Sequence, residues 1–112
     1  MIRKTIGIVG GMGPLATAEL FRKLILLTKA DKDSEHIHIL IDNYPQIPDR
    51  AAAILKGAES PVPYILEAAN RLVHAGAELP LAFLSLENTD MVDPAHLLAI
   101  EAIRLAGYET IS

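Results

Sequence analysis

The run Thr5-Ile6-Gly7-Ile8-Val9-Gly10-Gly11-Met12-Gly13-Pro14 constrains the fold of this chain more than any other stretch. Its β-branched residues suit a buried pleated strand. The glycines that follow permit positive φ and let another group approach bare backbone. Pro14 fits the first turn of a helix, where no amide hydrogen bond is lost. The pattern is therefore strand, glycine turn, helix. A helix start behind such a turn presents free N–H groups and the positive end of the helix dipole, which suits a carboxylate or a phosphate.

The next elements extend this into a βαβ unit. Leu20, Phe21, Leu24 and Leu27 form an apolar stripe at helical spacing, so the first helix is expected from Pro14 to about Thr28. A polar connection, 29–35, leads to a second strand over His36 to Ile41. Two strands joined through a helix imply parallel pairing and a right-handed crossover. The segment Asp42 to Arg50 carries Pro45 and Pro48 and reads as a rigid loop at the carboxyl end of that strand. Ligands of open α/β sheets bind outside the carboxyl ends of strands, so this loop and the glycine turn are expected to face one crevice.

Further elements are shorter. A helix over Arg50 to Lys56 stops at Gly57. Ser60-Pro61 opens another as N-cap and first-turn proline, with Val62, Ile65, Leu66, Ala69, Leu72 and Val73 as its buried face and Gly76 after its end. Leu79 to Leu84 is apolar, but too short for periodicity to separate strand from helix. Asp93-Pro94 starts a last helix with Leu97, Leu98, Ile100, Ile103 and Leu105 apolar, ending at Gly107. The fold class expected is a three-layer α/β domain on a parallel sheet, one domain over 1–112.

Composition excludes several classes of function. The 112 residues suffice for one small domain, 51% apolar and 21% charged. A net charge of −4 offers nothing to nucleic acid or to an anionic membrane. No apolar run approaches the roughly 20 residues of a membrane span. The start, Met1-Ile2-Arg3-Lys4, lacks the pattern of a signal peptide, and the expectation is a cytoplasmic location. The chain contains no cysteine, which removes disulfides, thiolate metal sites and any thiol chemistry of its own.

Candidate polar chemistry is sparse. Gly11-Met12-Gly13-Pro14-Leu15-Ala16 matches G-x-G-x-x-A, a weak sign of a dinucleotide on its own. The acidic residue such a site needs about 20 residues on is missing, since Asp42 lies too far along. A small carboxylate or phosphate, a dinucleotide and a purely structural turn all remain open here. His36 and His38, two apart on the expected strand, would share a face, but no third metal ligand approaches them. His74 falls near a helix C-terminus, where partial protonation suits the dipole, and His96 in a first turn exposed to solvent. Arg50 offers a bidentate fork to a carboxylate at the presumed crevice, or a surface ion pair with Asp49 or a nearby glutamate.

Two stretches carry a resemblance. Gly-Gly-Met-Gly-Pro-Leu-Ala-Thr-Ala at 10–18, Asn43-Tyr44-Pro45-Gln46-Ile47-Pro48-Asp49-Arg50, and Gly57-Ala58-Glu59-Ser60-Pro61, in that order, resemble the N-terminal part of the cofactor-independent aspartate/glutamate racemases over residues 6–76. Residues 78–107, from Glu78-Leu79-Pro80-Leu81-Ala82-Phe83 through Asp93-Pro94, are similar to that family's C-terminal segment. The family fold is two similar α/β domains facing a cleft. Its chemistry exchanges the α-proton of an acidic amino acid between two cysteines, without pyridoxal phosphate or another cofactor. The resemblance implies an internally shortened racemase, a truncated domain of the two-domain fold, joined near Ala75 to Glu78.

Both family cysteines are absent. Gly76-Ala77-Glu78 stands where a Cys-Thr-Glu motif would be, so Glu78 is the nearest remnant of the catalytic pair. Glu87 is the other carboxylate considered as a lone base. Asn88-Thr89 follows Glu87 rather than the Pro-Cys of the other cysteine motif. The resemblance therefore implies a catalytically impaired racemase. It places the backbone of Gly11, Met12 and Gly13 on the amino acid, with Asn43 and Arg50 on its polar groups. The alternatives are a non-catalytic carboxylate-binding or interaction module and a nucleotide-binding βαβ domain. Loss of the family's third strand leaves a sheet edge exposed, unless Leu81 to Leu84 replaces it or a second copy pairs there, so a homodimer or a marginally stable monomer is expected.

Overall fold

The structure, a computed structural model, describes residues 3–57, 59–82 and 94–111. The chain order is β1 (Ile6–Gly10), α1 (Pro14–Leu27), β2 (Ile39–Asn43), α2 (Arg50–Lys56), α3 (Val62–His74), β3 (Leu79–Ala82) and α4 (Pro94–Leu105). The strands form one parallel sheet in the order β2-β1-β3.

Strand β1 lies at the centre and every residue of it is buried. Ile6 and Ile8 point to one face, where they meet Leu20 and Leu24 of α1 and Ala99, Ala102 and Ile103 of α4. Val9 points to the other face and packs on Ala68 and Leu72 of α3, with Ala77 and Ile47. The alternation of strand side chains thus divides one sheet between two helical layers, and the expected three-layer α/β architecture is present.

The ambiguous segment 79–84 is resolved in part. Leu79–Ala82 is a strand, with Ile6 opposite Leu79 and Ile8 opposite Leu81. The edge of β1 is therefore not bare, because this short strand takes the place beside it. Pro80 is tolerated there because β3 has no further strand on its outer side among the described residues. Phe83 and Leu84 lie outside the described residues.

Two expectations are corrected. First, β2 begins at Ile39 rather than His36, since a 3-10 turn over Asp33–Glu35 ends at His36. His36 and His38 therefore do not share a strand face; His38 Nδ1 lies 3.3 Å from Thr5 Oγ1. Second, of the expected face of α3, Leu72 is buried and Ile65 and Ala69 pack against the core, whereas Val62, Leu66 and Val73 are more than half exposed and Ala68 is buried instead. Gly7 lets Leu72 of this helix and Ala77 beyond its end lie close against β1. A Cβ on Gly7 would come within 2.6 Å of Ala77 and 3.2 Å of Leu72. The last helix, α4, buries Ala95, Ala99, Ala102 and Ile103, and leaves Leu97 and Leu105 about half exposed. The alanines let the helix axes approach around the buried Ile103.

The chain ends are tied to this core. Lys4 N–H donates to Ala106 C=O at 2.9 Å, Lys29 N–H to Glu109 C=O at 2.8 Å, and Ile111 N–H to Leu27 C=O at 2.9 Å. No helix among the described residues is long and apolar enough to cross a membrane.

Candidate functional site

The glycine turn joins the carboxyl end of β1 to α1. Thr17, in the first turn of α1 and 3% exposed, organises it. Its Oγ1 accepts from Gly11 N–H at 2.9 Å and donates to Gly13 C=O at 3.0 Å. Its own N–H donates to Gly13 C=O at 3.1 Å. A Cβ on Gly10 would lie 2.4 Å from the Thr17 methyl, so only glycine fits beneath that side chain. Gly11 has φ of +111° and presses on the main chain of Tyr44, whose carbonyl would stand 2.4 Å from an added Cβ.

Gly13 differs from its neighbours. It is the N-cap of α1 with extended backbone, provides no side-chain cap, and has nothing within 4 Å of a Cβ position. No acidic side chain occupies the first turn. Among the described residues, no hydrogen bond ends on the amides of Met12, Gly13, Leu15 or Ala16. Unfilled donors at a helix start, beside the positive end of the dipole, are the kind of group that suits an anion. The expectation of a three-residue cradle changes in one respect: the Gly11 amide already serves Thr17, and its role is to shape the turn.

The loop after β2 forms the adjoining wall. Asn43 lies opposite Gly10 in the sheet and is exposed. Tyr44 N–H donates to Gly10 C=O at 3.1 Å, and Ile47 N–H to Tyr44 C=O at 3.3 Å. Arg50 is the first residue of α2, on the far side of this loop; its side chain lies outside the described residues. Glycine turn and Asn43 therefore come together at the carboxyl edge of the sheet, as the βαβ pattern requires.

Glu78 does not join them. Its N–H donates to Thr5 C=O at 2.9 Å, and its carboxylate accepts from Thr5 N–H at 3.2 Å. That places it at the amino end of β1. At about 3.3 Å per residue, the length of β1 separates it from the glycine turn by roughly 16 Å. As a remnant of the catalytic pair it is thus at the wrong end of the sheet to reach a molecule in the cradle. Glu87, Asn88 and Thr89 lie outside the described residues.

Asp42, Arg71 and Tyr44 form a cluster that sequence reasoning missed. Arg71 Nε and Nη2 reach Asp42 Oδ2 at 2.9 and 2.8 Å. The guanidinium carbon lies 5.7 Å from the centre of the Tyr44 ring. Asp42 is therefore engaged by an arginine, which weakens the dinucleotide reading further. Thr17 was missed as well, although a hydroxyl inside an apolar helical stripe is a signal that a buried partner awaits it. A cleft of about 270 Å³ is lined by Phe21, Leu24, Ile25, Ile37 and Ile39 with His36. It lies where the chain enters β2, away from the glycine turn. No group of metal-ligating side chains occurs among the described residues.

The fold and the turn define a parallel α/β protein with an uncapped helix start at the carboxyl edge of its sheet. Residues 9–82 match the family model described as Asp/Glu/Hydantoin racemase. The fold is similar to that of an aspartate racemase from Picrophilus torridus, with a TM-score of 0.67 and 38% identity over 70% of this chain. The match covers 34% of the Picrophilus chain, so this chain spans about a third of it. The chain belongs to the Asp/Glu/hydantoin racemase family.

Proposed function

We propose that this chain holds a small acidic amino acid, aspartate or glutamate, by a carboxylate on the open amides of the glycine turn. The observation that carries the reading is the uncapped start of α1, where the Met12, Gly13, Leu15 and Ala16 amides have no partner among the described residues. Asn43 flanks this cradle, and Arg50 begins the helix beyond the adjoining loop. Family membership supports an amino acid over a phosphate or a nucleotide.

The chemistry of that family type exchanges an α-proton. Exchange requires a base on one face of the carbon and an acid on the other, each with an affinity for protons near the working pH. Thiols meet this requirement, and this chain has none. Glu78 is bonded at the opposite edge of the sheet. The chain is therefore a binder that does not by itself racemise, and it uses no pyridoxal phosphate. Its setting is the cytoplasm, as a homodimer. The second reading, a general carboxylate or anion module, rests on the same cradle and differs in lacking preference among anions.

Proton NMR of L-aspartate and L-glutamate in deuterated water tests the catalytic half. The α-proton signal should persist undiminished in the presence of the protein. Loss of the signal that disappears on substituting Glu78 or Glu87 would overturn the proposal. Calorimetric titration separates the two readings: aspartate or glutamate binding more tightly than phosphate favours the amino-acid site, and equal affinities favour the general anion module.

A further inference from the structure

Resting on the proposed ligand cradle, we propose that Arg71 is a positioning residue for it, acting through Tyr44. The chain of contacts runs from α3 to the turn. Arg71 directs both Nε and Nη2 at one oxygen of Asp42, at 2.9 and 2.8 Å. The same guanidinium lies over the Tyr44 ring, 5.7 Å from its centre. Tyr44 in turn bonds Gly10 through its main chain at 3.1 Å, and its main chain abuts Gly11. A planar fork that grips a carboxylate and also stacks on a ring is an arginine property that lysine does not share.

Stability alone does not account for the arrangement. The Arg71 side chain is 51% exposed and that of Asp42 is 23% exposed. An ion pair of this exposure contributes little to folding. Its consequence is local instead. It fixes the ring of Tyr44, and the ring fixes the backbone against which the left-handed Gly11 is pressed. The direction in which the Met12 and Gly13 amides point depends on that contact.

The test uses the Arg71→Met, Arg71→Lys and Asp42→Asn variants of the full chain. Backbone amide signals of Gly11, Met12 and Gly13 are compared without ligand, alongside thermal unfolding and aspartate affinity. Arg71→Met and Asp42→Asn should shift those three amides while unfolding moves by a few degrees at most. Aspartate should bind roughly tenfold more weakly to Arg71→Met, as expected when positioning groups are lost. Arg71→Lys, which keeps the charge and loses the fork, should fall between it and the unsubstituted chain. Unmoved amides, or moved amides with unchanged affinity, would overturn the proposal. If the unsubstituted chain bound no aspartate, the functional reading would fail, while the ligand-free amide shifts would still decide whether Arg71 holds the turn.

Discussion

Gly11 and Gly13 stand two residues apart and obey different constraints. Gly11 has positive φ and no space for a Cβ, so Gly11→Ala should lose about 2–4 kcal/mol of stability in urea titration. Gly13 is extended and open. Gly13→Ala should therefore leave stability within roughly 0.5 kcal/mol of the parent, yet crowd a ligand that approaches the backbone. Thr17→Val would leave the buried Gly11 amide without its acceptor, a cost of about 1–3 kcal/mol measurable in the same titration. Tyr64 gives a separate test. Its hydroxyl donates to Glu59 at 2.6 Å, and this bond, more than desolvation, raises its pKa above the ordinary value. A raised folded pKa means that the bond's contribution is complete below about 10, the ordinary tyrosine value, and is lost as pH rises through the higher folded value. Ultraviolet titration should show one tyrosine ionising late, and Glu59→Gln should return it towards its ordinary range.

Among the elements, the helices and the first strand were legible because each carries its own boundary signals. Pro14 starts α1, and Gly57, Gly76 and Gly107 take positive φ after the three later helices. What could not be read was rotation. The leucines and isoleucines of α3 and α4 outnumber the alanines, but the inner faces mix Ala68, Ala95, Ala99 and Ala102 with Leu72 and Ile103, because packing distance, not hydrophobicity alone, decides which stripe turns inward. Strand β3 was ambiguous because four residues carry too little periodicity; its pairing with β1 supplies the missing term. At the site, the glycines were legible as a turn, whereas Thr17, Asp42, Tyr44 and Arg71 depend on contacts between distant segments. Ile103 is the large side chain of α4 with no exposure. Ile103→Ala should cost about 2–5 kcal/mol, read as a lowered urea midpoint with unchanged slope.

For the whole molecule, the proposed reading rests on a mismatch between scaffold and chemistry. The sheet, the turn and the first helix keep the geometry of a racemase-family domain, while no cysteine is present to move a proton. On the proposed reading such a domain retains recognition, because recognition would rest on main-chain amides, which no side-chain loss removes. Isotope-resolved NMR of the amides during addition of L-aspartate tests that claim most directly. The account predicts saturable shifts concentrated at Met12, Gly13, Leu15 and Ala16, weakened in Gly13→Val. Shifts confined to other parts of the chain, or none at millimolar aspartate, would contradict it.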